Sequence, residues 1–176
     1  LNRFQKRHTM NSLKNKSFIF SFVLIAAFFF GCSSAKETNQ TFSQDDIVQA
    51  INNSRWTFTA NTASPSYGSF RNLTAGYFIT CRKDTLISAL PYFGKLNSAS
   101  GALQGNPLDF KSTNFTLTKE DKKGGGWIVT INRPDQEVQS MMFTFFDNGN
   151  AQLSVVMTNR TGISFSGRVT PITPKA

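Results

Sequence analysis

Ser33 and Lys36 stand at the Ser-x-x-Lys spacing that lets a lysine amine take the proton of a serine nucleophile, and Cys32 comes directly before them. The spacing alone makes no site, because Ser33 to Thr41, "SSAKETNQT", is a polar tether that cannot wall off a pocket. Gly124-Gly125-Gly126 could cradle a phosphate, but no Lys-Ser/Thr follows and the next segment reads as a strand rather than a helix. Asp84, Asp109 and Asp147 lack the spacing of a calcium loop and read as turn residues. The single histidine, His8, lies at the extreme N-terminus, ahead of an apolar run. A Ser-His-Asp or Cys-His relay needs an imidazole to carry the proton, so neither is expected in the folded part of the chain. Cys81, in "GYFITCRKD", shares strand parity with Tyr77 and Ile79 and reads as a small buried apolar residue. No catalytic residue, metal site or cofactor is expected, and no intramolecular disulfide.

Cys32 has a chemistry of its own. Lys14 and Lys16 precede Phe18 to Phe30, thirteen residues that are apolar except for Ser21. A membrane-crossing helix needs about 20 apolar residues, so this run has the length of a signal-peptide core. Small Gly31 then stands before Cys32, in the manner of the lipobox of bacterial lipoproteins, with Phe29 where that pattern prefers Leu. The expectation is cleavage before Cys32 and acylation of its sulfur, which holds the chain on the outer membrane, facing the periplasm or the outside. Each buried methylene of such an anchor adds about 0.8 kcal/mol. Residues 1–9 precede a good start at Met10 and read as upstream sequence, 10–31 as the signal peptide, 32–41 as anchor and tether, and 42–172 as one β-rich domain.

Removal of the leader changes the charge argument. Of the 19 basic residues, Arg3, Lys6, Arg7, Lys14 and Lys16 fall before Cys32, together with none of the ten acidic ones. The formal +9 therefore drops to +4 over the 145 residues from Cys32 onward. With no basic run longer than a pair such as Lys122-Lys123, a nucleic-acid partner is not expected.

The elements that position these residues follow from periodicity. "FSQDDIVQAINNSR" reads as a helix with Ser43 as N-cap, Asp45 and Asp46 in its first turn, and Ile47, Val48, Ala50 and Ile51 on its apolar face. From Trp56 the period becomes two, and about eight strands follow, joined mainly by short turns. Asp147-Asn148-Gly149-Asn150 suggests a type I′ hairpin; "KEDKKGGG" is a looser loop, "RPDQE" a Pro-Asp turn and "NRTG" a Gly-ended turn. In "LDFKSTNFTLT" the apolar parity flips between Phe110 and Phe115, which predicts a bulge or bend at Ser112 to Asn114. The fold expected is mainly β: an antiparallel meander, barrel-like or strongly curved, with one N-terminal helix that plugs an end or packs on a face. Phe143, Phe145 and Phe146 imply either a strand covered on both faces or one face lining an apolar cavity.

Gly94 to Pro107 is the longest connection without regular pattern, and it follows "LPYFG". That juncture is where a site is expected, the bland alternative being that Tyr92 and Phe93 close the sheet edge as core residues.

Taken in order, "WTFTA" at Trp56 to Ala60, Pro65, Asp84, "LPYFG" at Leu90 to Gly94, "GGWIVTI" at Gly125 to Ile131, "DNGNAQLSV" and "RTGISFSGRV" at Arg160 to Val169 resemble the bacterial lipoprotein family known as domain of unknown function 4251. The resemblance implies a lipid-anchored, mainly β domain of a Gram-negative bacterium and carries over no catalytic residue.

The leading functional expectation is a non-enzymatic binding module for a small apolar or sugar-like ligand, with Tyr92, Phe93, Trp56 and Trp127 as contacts. The alternatives are an envelope scaffold that binds another protein through a strand edge, and a hydrolase built on paired carboxylates.

Overall fold

The computed structural model describes residues 42–74, 76–97, 105–133 and 137–172. Cys32 and the segments read as its leader and tether, the centre of the long loop and the turn expected at Pro134-Asp135 lie outside the described residues.

Helix α1 (Gln44–Asn52) starts where its capping chemistry starts. The Ser43 side chain accepts the Asp46 amide at 3.2 Å, while Asp46 Oδ2 accepts the Ser43 amide at 3.1 Å, closing a capping box. Such a cap contributes about 1 kcal/mol. That is too little for nine residues, since isolated helices below about 12 residues are marginal in water. Burial of Ile47, Ala50 and Ile51 against β1 and β10 supplies the rest; Val48 is only half-buried.

Among the described residues ten antiparallel strands follow: β1 (Arg55–Pro65), β2 (Arg71–Asn72), β3 (Phe78–Arg82), β4 (Thr85–Ala89), β5 (Asp109–Ser112), β6 (Thr116–Asp121), β7 (Trp127–Asn132), β8 (Val138–Phe145), β9 (Asn150–Met157) and β10 (Ile163–Pro171). They form one curled half-barrel sheet in the order β5-β4-β3-β1-β10-β9-β8-β7-β6, with β2 on the side of β1. The count exceeds the expected eight because β2 is only two residues long and because the bent segment is two strands. β5 and β6 sit at opposite ends of the strand order, yet only residues 113–115 separate them. The bend therefore hands the chain from one end of the sheet to the other. Ser112 Oγ holds it, donating to the Asn114 carbonyl and accepting the Asn114 amide, both at 3.2 Å.

Alternation decides the core. Trp56, Phe58, Ile79, Cys81, Leu86, Val129, Ile131, Met141, Phe143, Phe145, Leu153 and Phe165 all face inward and are buried. Trp56 packs edge-on against Phe143 and Phe145 at 4.9 and 5.0 Å between ring centroids, and Phe58 against Phe143 at 5.8 Å. Aromatic pairs of this kind add about 0.5–1.5 kcal/mol each beyond area burial. Neither expectation for the phenylalanines holds. Phe143 and Phe145 fill the inner face with packed rings, the outer face carries Met142 at 46% exposure, and Phe146 lies beyond the end of β8.

The β8–β9 turn also differs from the expected type I′. That geometry needs positive φ at both central residues. Among the described non-glycine residues only Ser54 and Lys83 have positive φ, so Asn148 does not. The Gly149 amide instead donates to the Phe146 carbonyl at 2.9 Å, with Gly149 at φ +78°, and Asn148 Oδ1 accepts the Asn150 amide at 3.0 Å. An Asn side chain that bonds two residues ahead favours this longer turn.

Candidate functional site

The registers define two ends of the half-barrel. Trp56 pairs with Cys81 and Pro171, and Trp127 with Phe145, at the end where α1 packs on β1 and β10. Pro65 pairs with Ile163, and Phe78 with Ala89, toward the opposite end.

That opposite end is built by a change of neighbour along β1. Its partner is β3 as far as Thr59; a register shift falls between Ala60 and Thr62, and β2 then takes over at Thr62 and Ala63. The backbone bonds Ala60 N to Tyr77 O, 2.9 Å, and Leu73 N to Asn61 O, 2.8 Å, fix both feet of the excursion between β2 and β3. Beside it, the chain leaves β4 at Leu90-Pro91, where proline cannot continue a ladder. Asn106 clips the long connection shut: its Nδ2 donates to the Leu90 carbonyl at 2.6 Å and its Oδ1 accepts the Leu108 amide at 3.0 Å.

Between the excursion and the strap, residues 91–97 after β4, lies an open recess of about 350 Å³ lined by Arg71, Asn72, Leu73, Thr74, Tyr77 and Phe93. The Arg71 guanidinium sits over the Phe93 ring, 4.6 Å from its centroid. Tyr67 and Phe70, in the turn leading into β2, are 64% and 61% exposed. One cation, two ring surfaces, an amide and a hydroxyl thus meet at one place, with no acidic side chain among the described residues of the lining.

Tyr92 turns the other way and anchors the strap. Its hydroxyl donates to the Thr161 carbonyl at 2.8 Å. Around that bond the Thr161 amide donates to the Lys95 carbonyl at 2.9 Å, the Lys95 amide to Thr161 Oγ1 at 3.0 Å and the Asn97 amide to the Asn159 carbonyl at 3.0 Å. Arg160 completes the closure, with its guanidinium 5.3 Å from the Tyr92 ring centroid and an ion pair to Glu137.

The four aromatics singled out from sequence do not converge. Trp56 is fully buried in the core and unavailable to a ligand; Trp127 is half-buried on the inner face at the helix end; Tyr92 and Phe93 stand at the strap end and diverge. Phe93 alone lines the recess. Arg71 and Tyr77, its partners there, were missed: neither lies in a distinctive motif, and only the change of partner along β1 brings them to Phe93. Cys81 is buried, and burial pushes its thiol up to about 12, so it is inert as a nucleophile near neutral pH. Gly124, Gly125 and Gly126, all with φ between +89° and +100°, form the β6–β7 turn, where positive φ accounts for the glycines. Among the described residues no cluster of three or more potential metal ligands occurs.

Residues 37–169 match the model of the family described as domain of unknown function (DUF4251). The chain belongs to the DUF4251 family. A crystal structure of a DUF4251 family protein from Bacteroides eggerthii is similar to it with a TM-score of 0.52 at 15% identity, covering 73% of this chain and 87% of that one. At that identity the likeness speaks for the fold. No curated protein matches the chain significantly.

Two other recesses in this DUF4251 domain are less suited to a ligand. One of about 340 Å³ between α1 and β1 includes Phe42, Arg55 and Pro171 and abuts the start of the described chain. Another, about 600 Å³, is a broad bay on the outer sheet face that offers Phe146 as its one aromatic among Asn148, Asn150, Gln152 and Arg168.

Proposed function

We propose that this DUF4251 protein is a lipid-anchored, non-enzymatic binding module of the outer membrane that holds a small sugar-like ligand in the strap-end recess. The observation that carries the reading is the meeting of Phe93, Tyr77 and Arg71 with Asn72 and Thr74 in one solvent-open recess. Ring surfaces with a few convergent polar groups are what small-ligand sites are made of, and 350 Å³ falls at the small end of their usual range, about 300–1,000 Å³. The anchor rests on the "FFFGC" context of Cys32.

The strand-edge scaffold ranks lower. The sheet ends carry Asp109 and Lys111 on β5 and Lys119, Glu120 and Asp121 on β6, all exposed, and charges of this kind discourage pairing with another strand. A carboxylate hydrolase needs two acids facing one cleft, whereas the described residues of the recess lining include none.

Two measurements test the proposal. Cys32→Ala should move the protein from the membrane to the soluble fraction, and retention on the membrane would refute the anchor. Calorimetric titration of the full chain in detergent micelles with a set of methyl glycosides should give binding that Phe93→Ala removes. No binding across neutral and charged glycosides would overturn the site.

A further inference from the structure

The state of Arg71 narrows the ligand. Its guanidinium carries a fork of N–H donors and lies over the Phe93 ring, 4.6 Å from the centroid. Among the described residues no hydrogen bond or ion pair reaches those donors. A planar fork of this kind is matched by a carboxylate, which accepts two parallel N–H bonds at once. Beside it, Asn72 and Thr74 each offer both donor and acceptor, as a ring bearing hydroxyl groups requires, while Phe93 and Tyr77 offer apolar surface for the C–H face of such a ring.

We infer that the recess takes a pyranose bearing a carboxylate: a uronic acid whose carboxylate pairs with Arg71 while its ring lies against Phe93 and Tyr77. This rests on the binding role proposed above. The recess is open to solvent, so the uronic acid is accommodated either as a free sugar or as the terminal unit of a longer glycan. Among the described residues no acidic side chain in the lining opposes the approach of an anion.

Methyl glucuronide and methyl glucoside separate the inference from the reading beneath it, because they differ only in carboxylate against hydroxymethyl. Calorimetry on the full chain in detergent micelles should find the glucuronide bound at least tenfold more tightly. Raising the salt concentration should weaken the glucuronide and leave the glucoside unchanged, since only the first is held by charge. Arg71→Gln should reduce the two affinities to equality, and Arg71→Lys should restore part of the preference, because lysine keeps the charge without the fork. Phe93→Ala should remove both, with an unchanged far-ultraviolet dichroism spectrum showing that the sheet is intact. Equal binding of the two glycosides by the wild-type chain, or a preference that survives Arg71→Gln, overturns the carboxylate assignment and leaves the sugar site standing. Absence of binding by either overturns the site itself.

Discussion

The guanidinium carbon of Arg133 lies 3.6 Å from the centroid of the Phe110 ring. Arg133 follows β7, the last strand but one, and Phe110 belongs to β5 at the other end of the sheet order, so this contact brings the two ends together close to the bend that links β5 to β6. Arg133 is buried, its Nε has no hydrogen-bond partner among the described residues, and burial lowers its pKa. The Phe110 ring face is thus the compensation that the structure provides for this cation. A double-mutant cycle with Arg133→Met and Phe110→Leu should give a coupling of about 1–2 kcal/mol in urea unfolding. Additive effects would show that the stacking contributes nothing.

Tyr92→Phe removes one hydroxyl and the bond to Thr161 O. The expected loss of global stability is about 1 kcal/mol. The local effect should be larger: the amides of Lys95, Asn97 and Thr161, which tie the strap to the β9–β10 turn, should exchange with deuterium faster than those of β8 or β9. Unchanged protection there would mean that the strap holds without its tyrosine.

Trp56 and Phe93 should separate stability from binding. Truncation of a buried aromatic costs about 3–5 kcal/mol, so Trp56→Ala should lose stability on that scale. Glycoside affinity should be retained in the fraction that folds, because the side chain is at the other end of the half-barrel. Phe93→Ala, at a half-buried position, should cost clearly less stability and all of the binding. The opposite pattern would place the ligand in the interior.

Cys81 makes stability depend on pH in the alkaline range. Its thiol is pushed from about 9 to about 12 by burial, so the folded state keeps the proton that the unfolded chain releases. The stabilisation is fully present below about 9 and is lost as pH rises through 9 toward 12. Thermal midpoints of the wild type should therefore fall faster above pH 9 than those of Cys81→Val. Parallel curves would show that the thiol does not titrate differently in the two states.

Much of the fold is legible in the residues. Ser43 and the aspartates mark where α1 begins because capping is a local hydrogen-bond problem. The period of two separates Trp56, Phe58 and Phe143 from Thr57, Thr59 and Thr144 because a strand must bury one face. The parity change between Phe110 and Phe115 locates the bend. Less visible was β2, whose two residues are exposed and carry no pattern. The form of the turn at Asn148-Gly149 was also hidden, since an Asn side chain competes with the mirror-image turn its dipeptide suggests.

Sequence alone determined which face of each strand is apolar, where the helix is capped, and that no imidazole serves the folded domain, because these depend on residue type and on neighbours a few positions away. Tertiary structure decided which end of the half-barrel each aromatic occupies. Trp56 and Phe93 look alike as candidates for a ligand, yet one is sealed in the core against Phe143 and Phe145 and the other opens beside Arg71. Alternation reports the side of a strand and carries no information on its register or its partner. The recess exists because β1 exchanges β3 for β2 at a register shift, and that exchange is set by long-range pairing rather than by any local run of residues.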